Sequence, residues 1–216
     1  KMGVELNPYH AYNFNILGEC YYNLKDYNNA SVSYAKAVEI DPEYDTALYN
    51  LGFVLYQLDR YEEAIVHLEN ARKLNPEHTG AAYTLGNCYY QIKDYGNAVK
   101  NLKIAVAAKP NNYSNAFFKL GYAYTRLEQL NLAIENYKKS LEYDPNDNVT
   151  YNNIGVILNK QGEYKQAVAM LEQALKIKPD SAMAYGNLAD AYDGLGKARS
   201  ARKAREKAEK LEANQK

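Results

Sequence analysis

Residues 45–78 read DTALYNLGFVLYQLDRYEEAIVHLENARKLNPEH, and this stretch decides the fold. In its first half, apolar residues occupy one face of a helix, at positions i, i+3 and i+7: Leu48, Leu51 and Leu55. A polar break at Asp59 and Arg60 precedes a second helical stripe that starts at Tyr61. Pro76 ends that stripe, because proline lacks the N–H that a helix interior needs. The stretch therefore predicts two α-helices joined by a tight turn.

The same helix pair recurs with a period of 34 residues, with a single step of 35. All six prolines keep this period: Pro8, Pro42, Pro76, Pro110, Pro145 and Pro179. A period of this length is typical of an array in which each helix pair packs against its neighbours. No alternating strand pattern competes with it, so the predicted fold class is all-α.

A glycine keeps the period inside five of the predicted first helices: Gly18, Gly52, Gly86, Gly121 and Gly155. Glycine inside a helix costs about 1 kcal/mol relative to alanine, so its recurrence indicates a close approach between the two helices of a pair. We expect Gly52 to face Ala64 of the second helix.

The composition excludes several classes of protein. Hydrophobic residues make up 47% and charged residues 24% of the chain, which is enough to bury a core. There is no long apolar run and no signal-peptide pattern, so membrane insertion is not expected and the default location is the cytoplasm. The 26 basic and 26 acidic side chains cancel, so no nucleic-acid partner is expected.

Residue types found in enzymes and metal sites are present without the spacing that such sites need. The histidines, His10, His67 and His78, form no pair at i, i+4. The turn at residues 194–197 lacks the spacing of a phosphate-binding loop, and no isolated pair of carboxylates suggests acid–base chemistry. We therefore predict no catalytic residue, no metal site and no cofactor.

Cys20 and Cys88 occupy the same position of the first and third helix pairs, where the other pairs have apolar residues. Both are expected to be buried, reduced thiols. Two repeats of separation place them far beyond the ~7 Å between Cα atoms that a disulfide allows.

Seven residues of the quoted stretch together resemble the tetratricopeptide repeat: Asn50, Leu51, Gly52, Leu55, Ala64, Ala71 and Pro76. The resemblance implies a right-handed α-solenoid of antiparallel helix pairs, in a single array over residues 11–216. The implied repeats are 11–44, 45–78, 79–113, 114–147, 148–181 and 182–215, and the last helix, 197–216, acts as a cap. Residues 1–10 are a remnant of a preceding repeat or a stub helix.

In this family the first helices line a concave groove, so the resemblance implies that a partner peptide or helix lies there. The implied groove residues are Tyr12, Asn15, Tyr22, Tyr49, Asn50, Phe53, Tyr56, Tyr83, Asn87, Tyr90, Phe118, Lys119, Tyr122, Arg126, Asn152, Asn153, Lys160 and Asn187. Aromatic rings with a polar tip give a large contact area at a small entropy cost. The open alternative is that Tyr and Asn are ordinary consensus choices at these positions.

The polar groove residues suggest what the partner presents. Asn50, Asn153 and Asn187 share one position of their repeats, where an amide can pair with the N–H and C=O of a peptide backbone. Lys119, Arg126 and Lys160 would meet acidic residues of the partner. The fifth position of the repeats holds no lysine, so the basic clamp with which some members of the family hold a C-terminal carboxylate is not expected.

The last segment of the chain is basic. Residues 197–216 carry eight Lys or Arg and three Glu. We interpret this segment as the solvating cap that a solenoid needs on its last helix pair. The alternative is a basic helix that binds an acidic partner.

Three functions remain open on the sequence. The first is a non-catalytic scaffold that binds a protein or peptide in the groove. The second is the targeting or substrate-recognition arm of a larger enzyme. The third is a scaffold that self-associates through the ends of the array.

Overall fold

A computed structural model describes residues 8–108 and 114–214 of the chain. These residues contain no strand and form twelve α-helices: α1 (Pro8–Asn23), α2 (Tyr27–Ile40), α3 (Asp45–Gln57), α4 (Tyr61–Leu74), α5 (Thr79–Gln91), α6 (Tyr95–Ala108), α7 (Ser114–Arg126), α8 (Leu130–Tyr143), α9 (Asn148–Lys160), α10 (Tyr164–Ile177), α11 (Ala182–Gly194) and α12 (Ala198–Ala213). The predicted all-α class of helix pairs is confirmed.

The helices form two compact units: unit 1 holds α1–α6 and unit 2 holds α7–α12, with the division between residues 113 and 114. Within each unit the two helices of a pair pack together, and the second helix of a pair packs on the first helix of the next pair. Successive first helices also touch, as α3 and α5 do in unit 1 and α9 and α11 do in unit 2. The first helices of a unit therefore lie side by side.

The two helices of a pair approach closely at the recurring glycines. A Cβ atom added at Gly52 would lie 2.5 Å from Cγ of Leu68, and one added at Gly121 would lie 2.6 Å from Cδ1 of Tyr137. Gly52 does face the backbone of Ala64, whose carbonyl oxygen would lie 3.1 Å from that Cβ, but the expected contact of two small residues is corrected, since the side chain of Leu68 is nearer. Each glycine makes room for a large buried side chain of the second helix, not for a small one.

The turn inside each helix pair contains one residue with a left-handed backbone, with φ from 58° to 78°: Lys25, Asp59, Lys93, Glu128, Gly162 and Gly196. This conformation reverses the chain at the end of the first helix, so that the N–H of Arg60 donates to the carbonyl oxygen of Leu55 at 2.9 Å. The turn has the same length in all six pairs, so the second helix begins at the same distance along the chain from the first helix in every pair.

The two thiols differ in exposure. Cys88 is buried, but Cys20 is exposed, so the expectation of two buried thiols is wrong for Cys20. In α3 the same face packs on the preceding helix pair, and Val54 at the equivalent position is 1% exposed. No described helix precedes α1, whose residues Ile16 and Leu17 are also exposed, as is Leu24 in the turn that follows.

Within residues 8–108 and 114–214, none of the helices combines the length and the apolarity that a bilayer crossing requires. The cytoplasmic location and the absence of a nucleic-acid partner stay predictions.

Candidate functional site

Unit 1 contains a cavity of about 390 Å³ between α1, α2 and α3. Ten residues line it: Asn15, Glu19, Tyr22, Asn23, Tyr34, Thr46, Tyr49, Asn50, Phe53 and Val54. Half of them belong to the groove set expected from the sequence: Asn15, Tyr22, Tyr49, Asn50 and Phe53. The structure therefore brings together five of the seven predicted residues of the first two repeats, all except Tyr12 and Tyr56. The other five lining residues are Glu19, Asn23, Tyr34, Thr46 and Val54.

The aromatic rings beside this cavity contact one another. The ring centroids of Tyr22 and Phe53 are 5.8 Å apart, and those of Tyr49 and Phe53 are 6.0 Å apart. Tyr49 also packs against the ring of His78 at 4.3 Å. These distances are within the range in which aromatic pairs stabilise each other, so the rings are held in place before any ligand binds.

The side-chain amides of the groove are paired with one another across neighbouring repeats. Nδ2 of Asn50 donates to Oδ1 of Asn15 at 3.0 Å in unit 1. The equivalent residues of unit 2 do the same, with Nδ2 of Asn187 donating to Oδ1 of Asn152 at 2.8 Å. Asn153 differs, because its Nδ2 donates to Oη of Tyr137 at 3.4 Å. The three asparagines that share one repeat position therefore already donate hydrogen bonds inside the protein.

The predicted groove residues offer different amounts of surface. Three are exposed: Tyr12, Arg126 and Lys160. Three are buried: Asn15, Asn87 and Asn152. Twelve are half-buried: Tyr22, Tyr49, Asn50, Phe53, Tyr56, Tyr83, Tyr90, Phe118, Lys119, Tyr122, Asn153 and Asn187. Most of the surface that a ligand can reach is therefore aromatic.

Sequence reasoning missed a second set of tyrosines in unit 1. Tyr27, Tyr61 and Tyr95 begin the second helices α2, α4 and α6. Each packs against a groove tyrosine five residues earlier, in the pairs Tyr22–Tyr27, Tyr56–Tyr61 and Tyr90–Tyr95. The recurrence of the spacing i, i+5 with the period of the repeats was the signal that could have revealed them.

Three tyrosines beside the groove of unit 1 have raised pKa values. Burial raises the pKa of Tyr56, and burial raises the pKa of Tyr34 to about 12. The hydroxyl of Tyr61 donates a hydrogen bond to the carboxylate of Asp59, which raises the pKa of Tyr61 to about 12. These side chains therefore act as uncharged donors and acceptors and do not serve as acids or bases near pH 7.

Unit 2 contains a different cavity of about 460 Å³, formed by α7, α8 and the start of α9. Its lining residues are Asn115, Phe118, Ser140, Tyr143, Asp144, Asp147 and Val149. Only Phe118 among them belongs to the predicted set. The carboxylate of Asp147 caps α9, since it accepts from the backbone N–H of Val149 at 2.9 Å and from the hydroxyl of Thr150. In the sequence, the signal for this acidic side of the cavity was Asp147, which directly precedes α9.

The cations expected to meet an acidic partner lie in unit 2. Nζ of Lys160 is 3.3 Å from Oε1 of Glu128, and both side chains are exposed. An exposed ion pair of this kind contributes at most about 1 kcal/mol. A carboxylate of a partner would compete with Glu128 for Lys160.

The described residues contain no cluster of three or more His, Cys, Asp and Glu side chains that could hold a metal ion. The two cavities and the tyrosine pairs offer ring surface, amide groups and hydroxyls, with Glu19 in the first cavity and Asp144 and Asp147 in the second. Such an arrangement is suited to holding another molecule.

Sequence models of the tetratricopeptide repeat match the chain from residue 18 to residue 211. One model, described as TPR repeat, matches residues 18–59. Models described as tetratricopeptide repeat match residues 46–78, 79–112, 112–180 and 146–211. The matches fall on both units.

Curated relatives match part of the chain, among them a transferase and the uncharacterized protein ycf37 of Guillardia theta. The chain is 35% identical to ycf37 over 75 residues, which are 35% of this chain. Over 80 residues the chain is 36% identical to the protein O-mannosyl-transferase TMTC1 of Mus musculus. The aligned part is 37% of this chain and 8% of the transferase, so the chain spans less than a tenth of that relative's length.

Two solved structures resemble the fold. YrrB, described as a TPR protein with an unusual peptide-binding site, matches with a TM-score of 0.74 at 24% identity, over 82% of this chain and 91% of YrrB. The MamA protein matches with a TM-score of 0.73 at 24% identity, over 80% of this chain and 93% of MamA. At this level of identity the likeness shows the fold.

Proposed function

Because this chain belongs to the tetratricopeptide repeat family, we propose that it is a non-catalytic scaffold that binds a peptide or a helix of a partner protein against the first helices of unit 1. The cavity between α1 and α3 carries this proposal. Side chains from two successive repeats converge there, and a ligand lying across the first helices would contact both at once.

The chemistry of the cavity supports peptide binding. Tyr22, Tyr49 and Phe53 provide ring surface, and an aromatic residue at the centre of an interface can contribute ~2 kcal/mol or more to binding. Asn50 has a second amide hydrogen and a side-chain oxygen beyond the bond that it donates to Asn15. The resemblance to YrrB also supports the proposal, since that protein is described as having a peptide-binding site.

A peptide selection tests the proposal. A display library of random peptides of about twelve residues is selected on the full chain, and the enriched peptides are measured by fluorescence polarisation. A quadruple variant has alanine in place of Tyr49, Asn50, Phe53 and Tyr90. It should lose peptide binding while its circular dichroism spectrum stays helical. The single variant Phe53→Ala keeps the test decisive if the quadruple variant unfolds.

The matched control lies on the second helices. Val32 in α2 and Val66 in α4 are 54% and 56% exposed, so their double replacement by alanine removes apolar surface outside the cavity. This control should bind the peptides normally. Normal binding by the folded groove variants would show that the groove proposal is wrong.

A second candidate is the substrate-recognition arm of a larger enzyme. The match of 80 residues to an O-mannosyl-transferase favours it, because a related repeat segment there is part of a much longer chain. In this candidate the chain still binds through its groove and another domain performs the reaction. The length of the natural gene product tests it: a product of about 216 residues would exclude a catalytic domain on the same chain.

Self-association is a third candidate, and the exposed apolar face of α1 favours it. Ile16, Leu17 and Leu24 are 38%, 42% and 76% exposed. The exposed residues of α12 include Arg202, which is ion-paired with Glu206, so that helix offers a charged surface. Apolar contact would therefore join two α1 helices around a two-fold axis. Light scattering of the chain against the variant Leu17→Lys tests this, with a concentration-dependent mass expected only for the unmodified chain.

A further inference from the structure

In unit 1, each helix pair carries two tyrosines in contact, one near the end of the first helix and one at the start of the second. The ring centroids are 5.6 Å apart in Tyr22–Tyr27, 5.8 Å in Tyr56–Tyr61 and 6.2 Å in Tyr90–Tyr95. All six side chains are half-buried. We call these three pairs the tyrosine row.

The helix-pair fold does not require the tyrosine row. Unit 2 builds the same helix pairs with other residues at the equivalent positions: Thr125 and Leu130, Asn159 and Tyr164, Asp193 and Ala198. None of these is an aromatic pair. The row is therefore a property of unit 1 beyond what the repeat needs in order to fold.

The surroundings of the row indicate an uncharged ligand. The predicted groove residues of unit 1 include no Lys or Arg, and the cavity next to Tyr22 is lined by one charged residue, Glu19. Tyrosine hydroxyls are neutral at physiological pH at their ordinary pKa, and burial of Tyr56 and the bond from Tyr61 to Asp59 raise these two pKa values further. Recognition here relies on ring contacts and on hydrogen bonds from neutral donors.

We propose that the tyrosine row binds a proline-rich segment in the polyproline II conformation, a ligand class that rests on the proposed peptide-binding function. Polyproline II has three residues per turn and rises about 3.1 Å per residue, so each turn advances ~9.3 Å. Packed helices lie ~8–10 Å apart; α3 packs on α5, and the bond between Asn50 and Asn15 shows that side chains of α1 and α3 are in contact. One turn of the ligand therefore advances it by one tyrosine pair.

The proline-rich class fits the chemistry as well as the spacing. Proline rings pack on aromatic faces, as in other domains that bind such segments. The carbonyl oxygens of polyproline II have no partner within the ligand, so they can accept from the second amide hydrogen of Asn50.

Decaproline tests this proposal directly, because its ten residues span ~31 Å and reach all three pairs. Fluorescein-labelled decaproline is titrated with the full chain and followed by fluorescence polarisation. We expect saturable binding that weakens at least about tenfold in Tyr56→Ala, which corresponds to the loss of one aromatic anchor. In Tyr56→Phe, which keeps the ring, the affinity should fall less than about threefold.

Two controls separate binding from folding. Leu132 in α8 is 41% exposed, lies in unit 2 and lines neither cavity, so Leu132→Ala should leave decaproline binding unchanged. A peptide of the same length with glycine at every third position loses the rigid conformation and should bind more weakly. Circular dichroism must show the same helicity for every variant compared.

The outcomes also distinguish this proposal from the proposed function. If selected library peptides bind through Phe53 but decaproline does not bind, or binds Tyr56→Ala as tightly as the unmodified chain, the proline-rich class is wrong and the groove function stands. Preferential binding of an acidic extended peptide would have the same meaning. If no peptide binds through the groove residues, both proposals fail.

Discussion

Nδ2 of Asn50 donates a hydrogen bond of 3.0 Å to Oδ1 of Asn15, and this bond joins α3 to α1 beside the cavity of unit 1. Asn15 is 5% exposed, so the acceptor is shielded from water. A hydrogen bond between side-chain amides is directional, whereas ring contacts tolerate sliding. The bond therefore fixes how far α3 is displaced along α1, and with it the positions of Tyr22 and Phe53.

Replacing Asn15 with alanine should lower the free energy of unfolding by about 1 kcal/mol, because Asn50 then loses its acceptor in a half-buried place. Urea denaturation followed by circular dichroism measures the change. Asn13→Ala is the matched control, since Asn13 lies on the same helix and is exposed. Equal midpoints for the two variants would contradict a role of the bond in stability.

Gly52→Ala should destabilise the protein by about 1–3 kcal/mol, because the new Cβ atom would lie 2.5 Å from Cγ of Leu68 in a packed interior. Gly186→Ala is the control, since an added Cβ there meets no atom within 4 Å. That variant should gain up to about 1 kcal/mol from the better helix propensity of alanine. Urea midpoints that shift in the same direction for both variants would contradict this account of the glycine period.

The helix pairs could be predicted because their signals are local and are repeated six times. Pro76 and the apolar stripe around Leu51 mark helix ends and faces that do not depend on distant residues. The partner of Gly52 could not be predicted, because it depends on how the second helix is rotated in the pair. That rotation brings the large side chain of Leu68 over the glycine and leaves Ala64 beside it.

The candidate site was predictable only in part, for a similar reason. Repeat positions identified Tyr22, Asn50 and Phe53 as groove residues, and the structure brings these three around one cavity. They did not identify Tyr27, which belongs to a second helix and reaches Tyr22 only after the turn has folded. The exposure of Cys20 could not be predicted from the sequence either, because burial at that position depends on a preceding helix pair.

The two thiols should react at very different rates. In the native protein Cys20 is exposed and Cys88 is fully buried, and only an accessible thiolate reacts. A chromogenic disulfide reagent in excess should therefore label one thiol rapidly and the second only after denaturant is added. The variant Cys20→Ser should lack the rapid phase. Two rapid phases in the native protein would contradict the packing of α5 on its neighbours.

Deleting residues 197–216 should destabilise unit 2, because α12 buries Ala201, Ala204 and Ala208 and packs along α11. The deletion would also uncover Leu188, which is 6% exposed in the intact chain. Burying one such side chain contributes roughly 1.5–3 kcal/mol. The shortened protein should unfold at a lower urea concentration and form larger species in light scattering. An unchanged midpoint would show that α12 is not a cap.

Neutralising the charges of the same helix should have little effect if its role is that of a cap. The triple variant replaces Lys203, Arg205 and Lys207 with glutamine. Among the ion pairs that the structure shows, it loses the one between Arg205 and Asp193, which are 2.6 Å apart. Both side chains of that pair are about half exposed, so its loss should cost less than about 1 kcal/mol. Labelled decaglutamate provides the opposing test. If the unmodified chain binds decaglutamate, salt weakens this binding and the triple variant does not bind, then α12 is instead a surface for acidic partners. Salt weakens such binding because exposed charges are screened within ~8 Å at physiological ionic strength.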